Sequence, residues 1–329
     1  MKTALTNRKL KVNIQSRRKQ EIGFTCICVL PAFILFLIFV VYPVINMFYT
    51  AHFELITIWG DYNPLPRGFW QNYSDMFRLE SWRRAFGNTV FFIFTATFFT
   101  IIISLFFASV LARGRTAYKA FWRIIFYIPN ILSIVVIAAV WNAVYRHDGI
   151  LHGVYKLFGA AYKTPILQEK KVLWALLLPM IWQAAGYYMV MYIAGMDSVP
   201  ESLYEAANLD GASPVRQFFG ITLPCIWETV RTTLVFFIGA TINLSFLFVT
   251  SMIEPNDPTA QVLLTFMRRE YANGNIGFAM ANCAFIFGFA YSFSLIVRFL
   301  TRPDEDGMRA AKRCERKMRR LEKIRRNGV

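Results

Sequence analysis

The stretch IGFTCICVLPAFILFLIFVVYPVINMFYTAHF, residues 22–53, contains no Asp, Glu, Lys or Arg. A helix needs roughly 20 predominantly apolar residues to cross the hydrocarbon core of a bilayer, so this run is long enough for one span. Five later runs of comparable length also lack these charges, at 85–112, 124–145, 172–196, 232–253 and 271–297. The sequence therefore predicts an all-α polytopic membrane protein with six transmembrane helices.

The composition agrees with a membrane protein. Of the 329 residues, 56% are hydrophobic and 17% are charged, whereas a soluble domain has about 45–50% apolar and about 25% charged residues. The first run follows basic residues, as a signal peptide does, but its apolar core is too long and no clear small-x-small cleavage site follows it. The net charge of +16 does not indicate nucleic-acid binding, because much of the excess lies in tails beside the spans, where anionic lipid explains it.

The Lys and Arg residues also predict the orientation and the domain organisation. Basic residues crowd the tail at 1–22 and the tail at 301–329, and such tails stay on the cytoplasmic side of a membrane. An even number of spans places both ends on the same side, as this assignment requires. We therefore expect a six-helix transmembrane domain at 23–300 in the cell membrane, with both tails in the cytoplasm.

The chain carries no recognisable catalytic or cofactor chemistry. No G-x-x-x-x-G-K-[ST] phosphate loop is present, and the three His and five Cys show no metal-ligand or disulfide spacing. We predict no enzymatic activity, no cofactor and no metal. One alternative is an ion-coupled secondary transporter that works without an ATPase. Ion coupling usually needs ionisable groups inside the bilayer, and the lack of such groups in all six runs counts against it.

The loop between the fourth and fifth runs, at 197–224, has detailed helix-end chemistry. Ser198 is a candidate N-cap with Pro200 in the first turn, and Gly211 is placed as a helix stop in a left-handed conformation. Ser213 and Pro214 then begin a second short helix. The loop is predicted to form two short helices with a sharp turn, which either pack on their own bundle or dock on another protein.

A spaced pattern in this loop carries a resemblance. Glu-Ala-Ala at 205–207, Gly211 and Ile-x-Leu-Pro at 221–224 have the spacing of the signature loop of ABC importer permeases that work with a solute-binding protein. The sequences YEAANLDGAS and ITLP most resemble the carbohydrate-uptake branch, which includes maltose-, multiple-sugar- and glycerol-phosphate-type permeases. FYIPNILSIVVIAAVW and ANGNIGFAMA are similar to other parts of the same proteins, so the resemblance covers roughly 24–300.

The resemblance implies a type I importer transmembrane domain and a definite set of partners. These are a second permease subunit, commonly a different chain, two cytoplasmic ATPase subunits and an extracytoplasmic solute-binding protein. The loop would be the coupling helix that sits in a cleft of the ATPase. The residues implied in this coupling are Glu205, Ala206, Ala207, Asp210, Gly211, Ile221, Leu223 and Pro224.

A substrate pathway is predicted from polar and aromatic residues inside the runs. Sugars bind to hydrogen-bonding groups beside aromatic faces, and Gln183 lies near the middle of the fourth run among such residues. The lack of buried charge favours a neutral solute. The structural alternative for each polar residue is a hydrogen bond between helices. The candidates are Asn130, Trp182, Gln183, Tyr187, Tyr188, Asn243 and Asn282.

Overall fold

The computed structural model describes residues 24, 27–55, 60, 62–113, 118–159, 161–164, 171–254 and 257–301. Helices dominate these residues, and six helical stretches among them are long and apolar enough to cross a membrane, at 27–50, 80–112, 134–157, 172–197, 227–252 and 276–300. The third stretch consists of two consecutive helices, 134–145 and 150–157. The all-α class and the number of spans are confirmed. The predicted tails lie outside the described residues except for Thr301, so the domain boundaries stay a prediction.

Among the described residues, the elements are helices and one short β ladder between the first two spans. Its two strands are antiparallel and pair Phe53 with Pro64 and Glu54 with Asn63. In chain order the elements are α1 (Ile27–Thr50), β1 (Phe53–Glu54), β2 (Asn63–Pro64), α2 (Gln71–Arg78), α3 (Glu80–Arg113), α4 (Lys119–Ile131), α5 (Ile134–Tyr145), α6 (Ile150–Leu157), α7 (Val172–Asp197), α8 (Glu201–Leu209), α9 (Pro214–Gln217), α10 (Leu223–Cys225), α11 (Trp227–Met252), α12 (Leu263–Ala272) and α13 (Ile276–Leu300).

Helix α7 forms the centre of the bundle and packs against α3, α4 and α11. It is apolar on all sides, which is typical of a helix surrounded by other helices. Hydrogen bonds join it to its neighbours: Ser104 Oγ donates to the carbonyl of Ala185 over 2.9 Å, and the hydroxyls of Tyr192 and Thr233 are 2.7 Å apart. Because bilayer interiors offer no water to buried polar groups, such contacts hold α7 in place.

Gly186 lets α4 approach the backbone of α7. A Cβ atom at this position would lie 1.9 Å from the carbonyl oxygen of Phe126 and 3.0 Å from the Cα of Tyr127. Small residues allow close approach of membrane helices in this way. The residue therefore sets the distance between α4 and α7.

The third charge-free run is two helices, and the prediction of one continuous helix across 124–145 is wrong. Helix α4 ends at Ile131, and Leu132 and Ser133 are extended with ψ of 145° and 146°. Pro129 lies inside the end of α4, where its missing N–H removes one of the helical hydrogen bonds. Ser133 then caps α5 by accepting a hydrogen bond from the Val136 N–H over 3.4 Å. Together these residues break the helix and restart it.

Two π-helical turns, Leu37–Val41 and Phe218–Thr222, come just before prolines. In the first, Tyr42 donates its N–H to Leu37 and is followed by Pro43. In the second, Leu223 donates to Phe218 and is followed by Pro224. A proline ring crowds the carbonyl four residues earlier, and the wider turn relieves that crowding. The chain thereby stays helical through both prolines.

Helix α1 lies on the outside of the bundle, and no residue of its most apolar stretch is buried. It packs on α13 near its C-terminal end, where the Phe48 and Phe287 rings are 6.0 Å apart. Most of its large apolar side chains are exposed. In a membrane they face lipid or another membrane chain.

Candidate functional site

The 197–224 segment begins with a short linker and α8. Pro200, not Ser198, is the N-cap of α8, which corrects the predicted cap. The Ser198 hydroxyl instead donates to the carbonyl of Gly195 over 2.6 Å, at the end of α7. Glu201 is in the first turn of α8, where a negative charge is favourable beside the helix dipole. Ser198 thus finishes α7 instead of starting the next helix.

The turn after α8 forms as predicted around Gly211, whose φ is +72°. The Ala212 N–H donates to Ala207 over 2.9 Å, and the Gly211 N–H donates to Asn208 over 3.0 Å. These two bonds make a Schellman motif, which pairs the last carbonyls of a helix and needs a left-handed residue. Glycine adopts that conformation without steric cost.

The second short helix, α9, is also capped as predicted. Ser213 Oγ accepts from the Arg216 N–H over 3.4 Å, and Pro214 is the first helical residue. Gln217 then ties the two helices together, because its Nε2 donates to Asn208 Oδ1 over 2.7 Å and to the Ala212 carbonyl over 2.8 Å. The helix–turn–helix is thus fixed by its own hydrogen bonds.

One side of the segment is anchored to the bundle. Tyr204 is buried in the main core of the bundle. Its hydroxyl lies 2.8 Å from that of the buried Thr222, so this bond ties two parts of the segment together on the side that faces the core. Ile221, Leu223 and Pro224 are half-buried, and Ile221 and Leu223 pack against the main core. The Ile-x-Leu-Pro half of the motif therefore lies on the side of the segment that packs on the bundle.

The other side of the segment faces away from the bundle. Glu205, Ala206, Asp210 and Gly211 are exposed, and Ala207 is half-buried. Three large apolar side chains are exposed beside them: Leu209 is 91% exposed, Val215 66% and Phe219 63%. Among the described residues neither Glu205 nor Asp210 makes an ion pair. This surface combines small, apolar and acidic residues on a rigid support.

The sequence prediction missed Leu209 and the anchoring pair of Tyr204 and Thr222. Leu209 immediately precedes the Gly turn, so an apolar side chain at a helix end was a visible indication of an exposed contact. The anchoring pair joins residues 18 positions apart, and nothing in the local sequence indicates their contact.

The predicted pathway residues divide into separate groups. Asn130 Nδ2 donates to the carbonyl of Gln183 over 3.4 Å, where α4 meets α7. Trp182 and Trp141 have ring centroids 6.1 Å apart and line a largely apolar cavity of about 770 Å³ between α3, α4, α5 and α7. The structure therefore brings Asn130, Trp182 and Gln183 into one neighbourhood.

The other pathway candidates lie in different surroundings. The Tyr187 and Tyr188 rings are perpendicular with centroids 5.2 Å apart, and Tyr188 is buried against Phe237. Asn243 is exposed on α11.

Asn282 is fully buried. Its Oδ1 accepts from Trp82 Nε1 over 2.8 Å, and its Nδ2 donates to the Leu263 carbonyl over 2.9 Å. These bonds match the structural alternative, which is a hydrogen bond between helices.

The helix pair of the 197–224 segment, packed on the core on one side and exposed on the other, thus lies between the fourth and fifth spans of a six-span bundle. The chain belongs to the family described as binding-protein-dependent transport system inner membrane component, which matches residues 101–302, more than half of its length. It is thus the membrane-spanning permease of a solute-binding-protein-dependent importer. Family membership favours this class over the ion-coupled transporter that the sequence left open.

Similar proteins include several sugar permeases. The chain is 27% identical to the diacetylchitobiose uptake system permease protein NgcF of Streptomyces coelicolor, over 86% of this chain and 82% of that protein. It is 29% identical to the polygalacturonan/rhamnogalacturonan transport system permease protein YteP of Bacillus subtilis, over 67% and 73%.

A solved bacterial ABC transporter involved in the import of the acidic polysaccharide alginate shares the fold. It has a TM-score of 0.75 at 24% identity and covers 87% of this chain and 97% of its own.

Proposed function

We propose that this permease imports a sugar or oligosaccharide and is driven by a separate cytoplasmic ATPase that docks on the 197–224 segment. The observation that carries the proposal is the exposed surface of Glu205, Ala206, Leu209 and Asp210 on a segment whose opposite side is anchored to the core. An exposed apolar side chain beside small residues is suited to burial in a protein interface. The unpaired carboxylates suit basic or polar groups of the partner.

The orientation follows from the same assignment. Docking to an ATPase places the 197–224 segment in the cytoplasm. With six spans, both basic tails are then cytoplasmic, as the distribution of Lys and Arg predicts. The loops at the opposite end of the bundle then face the solute-binding protein.

A second permease subunit completes the transporter. The proposal is supported by the exposed apolar faces of α1 and by the cavity between α3, α4, α5 and α7, which one chain leaves uncovered. In this proposal two permease chains and two ATPase subunits form the complex.

The sugar class is supported by the relatives' substrates and by the chemistry near Gln183. Trp182 and Trp141 line the cavity with aromatic faces. Asn130 lies nearby, where its amide donates to the main-chain carbonyl of Gln183. Ionisable residues are expensive inside the bilayer, and the six charge-free runs contribute none to a pathway. A neutral sugar is therefore favoured over a phosphorylated one.

The test is purification of the permease complex from its own host membrane with the substitution Glu205→Lys. We expect the wild-type chain to retain an ATPase and the variant to lose it, while the variant still accumulates in the membrane. Glu254→Lys makes the same charge change at the opposite end of the bundle and should retain the ATPase. Solute uptake that continues without any ATPase would contradict the proposal and favour the ion-coupled alternative.

A further inference from the structure

Helices α4 and α7 are joined at three levels along their length. Asn130 donates to the Gln183 carbonyl at one end, and the Phe126 backbone rests on Gly186 in the middle. At the other end, Arg123 Nη2 lies 3.6 Å from Asp197 Oδ2. The two helices therefore run antiparallel, in close contact between residues 126–130 and 183–186, and the Arg123–Asp197 ion pair joins them again at the end of α7.

Asp197 occupies a special place because it is the last residue of α7. Only residues 198–200 separate it from α8, and this linker is short and fixed. The Val199 side chain is buried, and its N–H donates to the Met196 carbonyl over 3.2 Å. A displacement of α8 is therefore passed on to Asp197, because the short linker can absorb little of the movement.

The other end of α4 is free to adjust. Leu132 and Ser133 are extended and interrupt the helix before α5 begins. Movements of domains are usually absorbed at such residues between elements. If α4 follows α7, this break is where the change in backbone angles occurs.

The Arg123–Asp197 pair is not expected to add much to stability. Its side chains are 36% and 53% exposed, and pairs of this kind contribute little to folding. However, Arg123 Nε is buried and makes no hydrogen bond among the described residues. Asp197 is thus the counter-charge of a partly buried guanidinium.

We propose that Arg123 and Asp197 are positioning residues that make α4 follow the 197–224 segment. This inference rests on the proposed function, because the displacement originates in the docked ATPase. The ion pair joins the start of α4 to Asp197, where the 197–224 segment begins. Gly186 keeps the two helices in contact. The displacement then reaches Asn130 and Gln183, where α4 and α7 meet near the predicted pathway.

The experiment uses the assembled transporter in proteoliposomes with its solute-binding protein, and measures solute uptake and ATP hydrolysis together. Arg123→Asp and Asp197→Arg are made singly and combined. Each single change should raise the number of ATP molecules hydrolysed per solute imported by about twofold to thirtyfold, the range expected for residues that modulate coupling. The combined exchange should restore the wild-type ratio to within about twofold.

The exposed pair of Glu80 and Arg84, 3.3 Å apart on α3, provides a matched control. Its single reversals should leave the ratio unchanged. Where a reversed chain fails to accumulate, the neutral changes Arg123→Gln and Asp197→Asn carry the same test. An unchanged ratio in the single variants, or a combined exchange that restores nothing, overturns the inference. Failure of the wild-type complex to hold an ATPase overturns the proposed function instead.

A covalent bridge tests the same connection independently of charge. In a chain without its native Cys, Arg123→Cys with Asp197→Cys should uncouple transport. A bifunctional thiol crosslinker between the two positions should return the ratio toward wild type, because the bridge replaces the ion pair. Continued uncoupling after complete crosslinking counts against the inference.

Discussion

The 197–224 segment and the neighbourhood of Gln183 are built by different kinds of contact. The segment is held mainly by bonds between residues close in sequence, such as Gly211 to Asn208 and Gln217 to Asn208. The neighbourhood of Gln183 depends on helices far apart in sequence, such as Asn130 on α4 and Gln183 on α7. The proposed docking surface is thus built locally, whereas the proposed pathway needs contacts across the bundle.

The largest expected effect is on the bundle. Gly186→Ala places a Cβ atom 1.9 Å from the Phe126 carbonyl oxygen, a backbone atom that cannot move aside alone. We expect a destabilisation at or above the top of the roughly 1–3 kcal/mol range of overpacked interiors. The measurement is the amount of folded chain in the membrane after heating.

Gly239→Ala is the matched control for that change, since a Cβ atom at Gly239 meets nothing within 4 Å. Normal thermal stability of the Gly186 variant would show that α4 and α7 are not in backbone contact. The neighbourhood of Gln183 would then not depend on contacts between these distant helices.

The next effect is on the segment. Gly211→Val requires a β-branched residue at φ +72°, which costs about 1–2 kcal/mol even for an ordinary L-residue. We expect ATPase retention to fall about tenfold or more while the chain still inserts. Gly220→Ala, where a Cβ atom has open space, should retain the ATPase. Equal retention in both variants would mean that the turn does not shape the docking surface.

A smaller effect is expected near the cavity. Gln183→Leu and Trp182→Ala should each lower solute uptake, by about threefold to tenfold, because each removes one contact among several. Both variants should retain the ATPase, since neither residue belongs to the 197–224 segment. Transport rates measured at saturating binding protein check this. Unchanged uptake in both would leave Gln183 as a helix-packing residue.

The smallest effect is at the anchoring pair. Tyr204→Phe removes one hydroxyl and leaves that of Thr222 without its partner, which costs about 1 kcal/mol. The expected result is a slightly lower thermal midpoint with a modest loss of coupling. Thr222→Val together with Tyr204→Phe should recover part of the stability, because no buried hydroxyl is then left unpaired. A larger loss in the double variant would contradict this role.

The parts predicted from sequence are those governed by local backbone chemistry. The left-handed Gly211, the Ser213 cap and Pro214 at the helix start follow from residue type and spacing, and the structure confirms them. The six spans follow from lengths of apolar sequence. Ser198 was misassigned because its hydroxyl could either accept from an N–H of α8 or donate to a carbonyl of α7. In the structure it donates to the Gly195 carbonyl at the end of α7.

The parts that could not be predicted need distant partners. The break at Leu132 and Ser133 was missed because the run around it is long and carries no charge, so it was interpreted as one span although it contains Pro129 and Ser133. Asn282 was grouped with Gln183 by chemistry, although its two bonds go to Trp82 and Leu263. Only the packing of helices distinguishes an amide that joins helices from one that faces a solute.

The π-helical turn at Phe218–Thr222 sets how α8 and α9 are rotated relative to α11. Each residue of an α-helix advances about 100° around the axis. The one additional residue in this turn therefore determines the direction in which the exposed side of α8 and α9 points. Deleting Gly220 would keep the composition of the docking surface and turn it by roughly a quarter of a circle. The surface would remain whole, yet it would no longer face the direction from which the proposed ATPase docks.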